Sequence, residues 1–224
     1  MSDPLHVLIV EDHRMVAEAL AMLLTDRSEF ASVTSVGSAE EAIESAGERC
    51  PDVVLMDVDL PGIDGIEAAP QLRDICPQTQ VVVMTALETA DILDRIVGAG
   101  ATGFVPKAQA VDRLIEVLVR AGEGELVLPA GDMPALLRRL EGVRGHAGDQ
   151  DVRIARLTER ETEVLQTCAE GKTTRETAEA LFIAPETVQS HVKSILMKLE
   201  VRSKLEAVLY GLRHGAIRLD GSGS

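Results

Sequence analysis

The chain has 224 residues, 46% of them apolar, and carries 37 Asp and Glu against 22 Lys and Arg for a formal net charge of −15. That length accommodates one or two ordinary hydrophobic cores and slightly favours two domains. So acidic a balance excludes indiscriminate coating of nucleic acid, and no stretch reaches the roughly 18 uninterrupted apolar residues of a membrane span.

The charge is unevenly placed. Residues 1–125 carry 23 acidic against 8 basic side chains, whereas residues 126–224 carry 14 of each, which leaves room for a locally basic reading surface in the second half. Cys50, Cys76 and Cys168 are odd in number and widely separated, with no Cys-x-x-Cys or Cys/His cluster. A reducing compartment with free thiols is the expectation. No basic region followed by a long apolar one opens the chain, so a soluble, cytoplasmic protein is expected.

In chain order, the apolar run 5–10 reads as a strand and ends on Glu11-Asp12. Val16, Leu20, Leu23 and Leu24 then keep helical spacing, residues 30–36 read as a strand, and residues 39–46 as a helix. The alternation repeats with a strand over 52–56 before Asp57 and a helix over 64–75 that contains Pro70. It continues with a strand over 80–84 before Thr85, a helix over 90–97, a strand over 102–105 before Lys107, and a helix over 111–121. Five strands alternating with five helices predict an α/β, doubly wound, five-stranded parallel sheet, and ligands of such sheets bind beyond the strands' carboxyl ends. From 122 to 151 the pattern weakens around one short helical stretch, 133–140, which reads as a linker.

From Leu157 onward the pattern is helical. Thr158 with Glu161 makes a capping box, Gly171 is a stop, and a helix over 174–181 meets another over 185–199 across Phe182-Ile183-Ala184, as a helix-turn-helix requires. A last helix spans 204–213, and the terminal Gly-Ser-Gly-Ser resembles a flexible linker or a cloning remnant.

Three carboxylates, a hydroxyl and an ammonium thus converge on one sheet edge. A cluster of Glu11, Asp12 and Asp57, itself without Cys or His, suits a hard cation, and magnesium is the metal expected. Beside such an ion Asp57 can act as a carboxylate nucleophile and take a phosphoryl group, with Lys107 balancing its charge and Thr85 donating a hydrogen bond. The main-chain carbonyl of Asp59 is within plausible reach of the metal, and His13 reads as the start of the first helix. Any one of these acids by itself is more simply a turn former or a cap. Phe104 reads equally well as core and as a reporter of Thr85.

Glu11-Asp12, the run Leu55-Met56-Asp57-Val58-Asp59-Leu60-Pro61-Gly62, Thr85-Ala86 and Gly103-Phe104-Val105-Pro106-Lys107 resemble the receiver domain of two-component response regulators, over about residues 4–121. The run Leu157-Thr158-Glu159-Arg160-Glu161, Gly171 and the stretch from Thr187 to Leu199 resemble the LuxR/NarL-type DNA-binding domain, over roughly 156–215. The resemblance implies a flavodoxin-like receiver at 1–123, a linker with a short helix at 124–155, a small all-α helix-turn-helix domain at 156–217 and a tail at 218–224. It also implies phosphotransfer from a sensor histidine kinase to Asp57, magnesium on Glu11, Asp12 and Asp57, a switch of Thr85 and Phe104, and a recognition helix over 185–199 in the major groove. The last helix is then a dimer contact, so a homodimer on promoter DNA is expected, and the protein modifies itself on Asp57 without turning over an external substrate.

With Val188, Val192, Ile195, Leu196 and Leu199 inward, Gln189, Ser190, Lys193 and Met197 face elsewhere and are the candidate base readers, while Thr187, His191, Lys172, Arg202 and Lys204 suit phosphate contacts. Departures from relatives are Ala108 where many have proline, Ala184 where a serine caps the recognition helix, Glu200 where a glycine follows it, Gln189 in place of lysine and Thr177 in place of isoleucine. Two rivals carry other functions: an Asp-x-Asp phosphohydrolase built on Asp57-Val58-Asp59, although such enzymes place the motif after the first strand, and a receiver scaffold acting through protein contacts alone.

Overall fold

A computed structural model describes residues 3–86, 90–108, 111–127 and 152–218. The chain divides into two compact units after Val127.

In the first unit, strands β1 (Leu5–Val10), β2 (Phe30–Val36), β3 (Val53–Asp57), β4 (Gln80–Thr85) and β5 (Gly103–Pro106) form one sheet in the order β2-β1-β3-β4-β5. All neighbours are parallel. Helices α1 (Arg14–Thr25), α2 (Ala39–Glu48), α3 (Gly65–Ile75), α4 (Ala90–Gly98) and α5 (Val111–Gly122) provide the crossovers. Hydrophobic pattern follows position in the sheet: every residue of central β3 is buried, whereas edge strand β2 mixes buried, half-buried and exposed positions. The strand order reverses between β1 and β3, and that switch point is where such sheets bind ligands.

Local chemistry fixes the helix starts nearest that edge. Ser38 accepts from the Glu41 amide at the head of α2, and Asp64 accepts from the Glu67 amide at the head of α3. Gly65 opens α3 because a Cβ there would lie 1.9 Å from the Asp57 carbonyl oxygen. Pro70 is accommodated inside α3, which runs on to Ile75.

At the outer edge of β5 the chain returns after α5: the Phe104 amide donates to the Val127 carbonyl at 3.2 Å and the Val127 amide to that of Thr102 at 3.4 Å. Gly103 is required there, since a Cβ would stand 1.8 Å from the Val127 oxygen.

One sequence expectation is overturned. Cys50 and Cys76 form a disulfide, with Cα atoms 5.6 Å apart and a sequence separation of 26. The β3–α3 crossover leaves and returns to the same end of the sheet, which brings the two cysteines together. Closing a loop of 26 residues removes chain entropy equivalent to about 3–4 kcal/mol in the loop-entropy model.

The second unit consists of a 3₁₀ turn (Ile154–Arg156) and helices α6 (Glu159–Ala169), α7 (Thr174–Leu181), α8 (Pro185–Leu199) and α9 (Lys204–Arg213). Capping boxes start α6, on Thr158 and Glu161, and α7, on Thr173 and Glu176. Val164, Leu165, Val188, Val192, Ile195, Leu199, Leu205, Val208 and Leu209 form its core, while Leu196 is half-buried. Thr177 is buried and donates to Thr167 Oγ1 at 3.2 Å, so a hydroxyl pair fills the place of an aliphatic side chain. The helix expected over 133–140 and the terminal tail lie outside the described residues.

Candidate functional site

The carboxyl edge of the sheet gathers the residues that the sequence marked. Asp57 ends β3 with its side chain 0% exposed, and Lys107 Nζ stands 2.5 Å from its Oδ2. The Asp59 amide donates to Asp57 Oδ1 at 3.2 Å. The intervening loop is fixed from both sides, because the Val58 amide donates to the Met84 carbonyl and the Gly65 amide to that of Val58. Lys107 is held likewise: its amide donates to the Thr85 carbonyl at 2.9 Å.

Glu11, Asp12, His13 and Asp57 each offer a ligand atom, and these lie within 4.8 Å of one another. Three carboxylates so close repel, and a divalent cation relieves that repulsion while keeping oxygen ligands, so the donor set fits magnesium. Asp59's carboxylate is not part of this cluster; its established tie to the pocket is the main-chain hydrogen bond to Asp57.

His13 does begin α1, as its N-cap without a side-chain capping bond. It also does something the sequence reading passed over. Its Nδ1 lies 2.7 Å from Asp12 Oδ1 and 3.0 Å from Glu11 Oε1, so the imidazole bridges two of the acids. The hydrogen bond to Glu11, and next the charge of Asp12, raise its pKa above the usual histidine value. The signal was its place directly after the acidic pair. For Lys107, burial pulls the pKa down, but hydrogen bonding and charge from Asp57, with Glu11 and Asp59 adding, hold it above the ordinary lysine value.

Thr85 ends β4, is 2% exposed and pairs in register with Pro106. Phe104 is 1% exposed and pairs with Val83, one strand from Asp57. Below Glu11 and Lys107 a cavity of about 340 Å³ opens between α1 and β5, lined by Val16, Leu20, Met84, Val105 and Leu114.

On α8, Gln189, Ser190, Lys193 and Thr187 are exposed and His191 is half-buried. Ser190 Oγ is bonded to the Glu186 carbonyl of its own helix at 3.0 Å. Lys172 is exposed beside Glu170, Arg202 is exposed, and Lys204, the first residue of α9, is half-buried. Lys198 of α8 is committed within the unit: its Nζ lies 2.6 Å from buried Glu161. The start of α8 has Pro185 at its first turn and no side-chain cap from Ala184.

Two known protein families match parts of the chain. Residues 7–119 match the response regulator receiver domain, and residues 155–210 match the bacterial regulatory proteins of the luxR family. The transcriptional regulatory protein LiaR of Bacillus subtilis is 32% identical, over 94% of this chain and 98% of that protein. The response regulator protein VraR of Staphylococcus aureus is 32% identical, over 95% and 98%. Among solved structures, a complex of the two-component response regulator RcsB with DNA is 25% identical, covers 93% of this chain and 99% of that one, and superposes with a TM-score of 0.53. A LuxR-family response regulator from Aurantimonas is 26% identical with a TM-score of 0.54, over 62% of this chain and 96% of that one.

Proposed function

The chain belongs to the response regulators that join a receiver to a LuxR-family DNA-binding domain, and is a transcription regulator of that kind; on that premise we propose that Asp57 accepts a phosphoryl group from a sensor histidine kinase. The observation that carries this reading is Asp57 itself. It is a fully buried carboxylate at the end of the central strand, against one lysine and amid acids that suit a cation.

In the proposed reaction, an Asp57 carboxylate oxygen attacks phosphorus as the donor's imidazole nitrogen leaves, giving an acyl phosphate. Glu11, Asp12, Asp57 and the Asp59 main-chain carbonyl would hold magnesium, which would supply charge neutralisation for the phosphoryl oxygens. Lys107 exchanges its partner on Asp57 for a phosphoryl oxygen, and the Thr85 hydroxyl donates to another. Because Lys107 and Thr85 are tied through their backbones, a shift at either is felt by both, and Phe104 packs according to the position of Thr85. Phosphorylation then favours the state that binds DNA only by the difference in energy it makes between the two states.

The proposed division is a receiver at 1–123, a linker at 124–155, a helix-turn-helix domain at 156–217 and a tail from 218. Gln189, Ser190 and Lys193 read bases, and Thr187, His191, Lys172, Arg202 and Lys204 hold phosphates, as a homodimer on promoter DNA in the cytoplasm. No helix among the described residues is long and apolar enough to cross a membrane. The chain modifies itself and turns over no external substrate.

Magnesium-dependent labelling by a small phosphodonor such as acetyl phosphate tests the acceptor. Labelling is expected to vanish in Asp57→Asn, and its persistence there overturns the assignment. Lys193→Ala is expected to weaken promoter binding by about tenfold or more, in line with about 1–3 kcal/mol for a base contact. Unchanged binding removes Lys193 from the reading set.

A further inference from the structure

Two cysteines bracket the phosphoryl-acceptor segment. Cys50 precedes β3 and Cys76 caps the end of α3, so the loop their disulfide closes contains Asp57, Asp59 and the whole of α3. The bond lies at the end of β3 away from Asp57. Cys168 is buried in the other unit and belongs to no disulfide.

The two halves of the bond differ in access. Cys50 is exposed, whereas Cys76 is 1% exposed. Cys76 Sγ also lies 3.4 Å from the Ala46 carbonyl oxygen, an acceptor for its S–H when the bond is open. The reduced Cys76 thiol thus has a hydrogen-bond partner in place. A regulator that works on DNA meets the thiol pool that keeps most such bonds open, and an accessible disulfide in that setting exchanges with it.

We propose that Cys50 and Cys76 form a reversible redox site whose oxidant is a low-molecular-weight disulfide of the glutathione type and whose reductant is the corresponding thiol. The exposed Cys50 thiolate attacks one sulfur of the external disulfide, breaks its S–S bond and releases one thiolate. The Cys76 thiolate then attacks Cys50 of the mixed disulfide, forms the internal bond and expels the second thiolate. Two protein thiols are oxidised, one external disulfide is reduced to two thiols, and the two cysteine protons pass to the released thiolates. Closing the bond ties the far ends of β3 and α3, the two elements that meet again at Gly65 against the Asp57 carbonyl. Oxidation thus stabilises the receiver without altering the donor set of its pocket.

The test uses the full chain equilibrated over ratios of reduced to oxidised glutathione from about 1:1 to about 1000:1. The samples are quenched in acid and alkylated, and the alkylated cysteines are counted by intact mass spectrometry. Three labels are expected at the reducing end and one, on Cys168, at the oxidising end, with the midpoint inside the series. The receiver is expected to melt several degrees higher in the oxidised form. In Cys76→Ser a glutathione adduct should accumulate on Cys50, while Cys50→Ser, altered only at an exposed position, should keep its far-UV circular dichroism and stay unmodified at Cys76. Three labels at every ratio, one label at every ratio, or an adduct on Cys76 in Cys50→Ser each overturn the proposal. Asp57→Asn should leave the midpoint unchanged, so the redox site stands or falls apart from the phosphoryl acceptor.

Discussion

Asp57 and Glu161 are both buried carboxylates facing a lysine whose side chain is 30% exposed, one pair in each unit. What surrounds them differs. Glu161 accepts from Lys198 Nζ on both oxygens, from Ser194 Oγ at 2.6 Å, and from the Thr158 amide and hydroxyl at 2.7 and 3.0 Å. Asp57 accepts from Lys107 Nζ and the Asp59 amide and shares its pocket with the acids Glu11 and Asp12. Burial raises the pKa of Glu161, but the hydrogen bonds from Lys198, Ser194 and Thr158 prevail and hold it at about 2. A carboxylate saturated with donors is a strut that fixes α6 to the recognition helix α8. One left with unfilled acceptor capacity among like charges is open to a cation and a phosphoryl group.

The largest expected effect separates the two pairs directly. Glu161→Ala strands Lys198 and the donors around it, and should cost the helical unit about 3–5 kcal/mol. Tyr210 in α9 is the only tyrosine of a chain without tryptophan, so its fluorescence during urea unfolding reports that unit alone. Asp57→Asn removes one of three clustered carboxylates and should leave the receiver within about 1 kcal/mol of its original stability, or above it. A loss at Asp57 equal to the loss at Glu161 would break the comparison.

Acid provides the next test. The carboxyl of Glu161 titrates near 4.5 when unfolded and at about 2 when folded, so its folded value is depressed. Its contribution, about 3 kcal/mol, is therefore fully present above pH 4.5 and is lost as the pH falls towards 2. Urea midpoints of Tyr210 fluorescence at pH 6, 4 and 3 should decline in the wild type and decline less in Glu161→Gln. Parallel curves for the two proteins would sink the assignment.

Magnesium should act on the other member of the comparison. At about 100 times its dissociation constant a ligand of the folded state adds about 2.7 kcal/mol, and this should appear in the calorimetric transition of the receiver while the Tyr210 transition stays still. Asp12→Asn should remove most of the shift. A magnesium shift that survives in Asp12→Asn, or that also moves the Tyr210 transition, would show that the cation binds elsewhere.

Much of this contrast was legible in the sequence, and the illegible part has a common cause. Continuous apolar runs ending at Asp12, Asp57, Thr85 and Lys107 fixed the strand ends because parallel strands are buried on both faces, and Thr158 with Glu161 announced a capping box through local spacing alone. The partner of Lys198 was hidden because Glu161 lies 37 positions away and meets it only when α6 packs on α8. The same holds for Cys50 and Cys76, which no Cys motif links and which the crossover of β3 and α3 brings to 5.6 Å. Thr177 looked like a poor core residue until Thr167 supplied its hydroxyl partner. His13 was read from its place at a helix start, although an imidazole beside two acids is also a bridging group.

The smallest effect tests whether the helical unit carries strain that its strut offsets. Glu200 caps α8 with φ +58°, a left-handed conformation that costs a residue with a Cβ about 1 kcal/mol and a glycine almost nothing. Its carboxylate lies 3.3 Å from Arg156, but both side chains are largely exposed, and such a pair returns only a few tenths of a kcal/mol. Glu200→Gly should therefore raise the stability of the helical unit by about 0.5–1 kcal/mol in the Tyr210 assay, with promoter affinity unchanged because the change lies past the end of α8. Arg156→Ala separates the two contributions: a loss well below the gain from Glu200→Gly is expected. A loss that matches or exceeds it would mean that the ion pair, not the backbone, decides this cap.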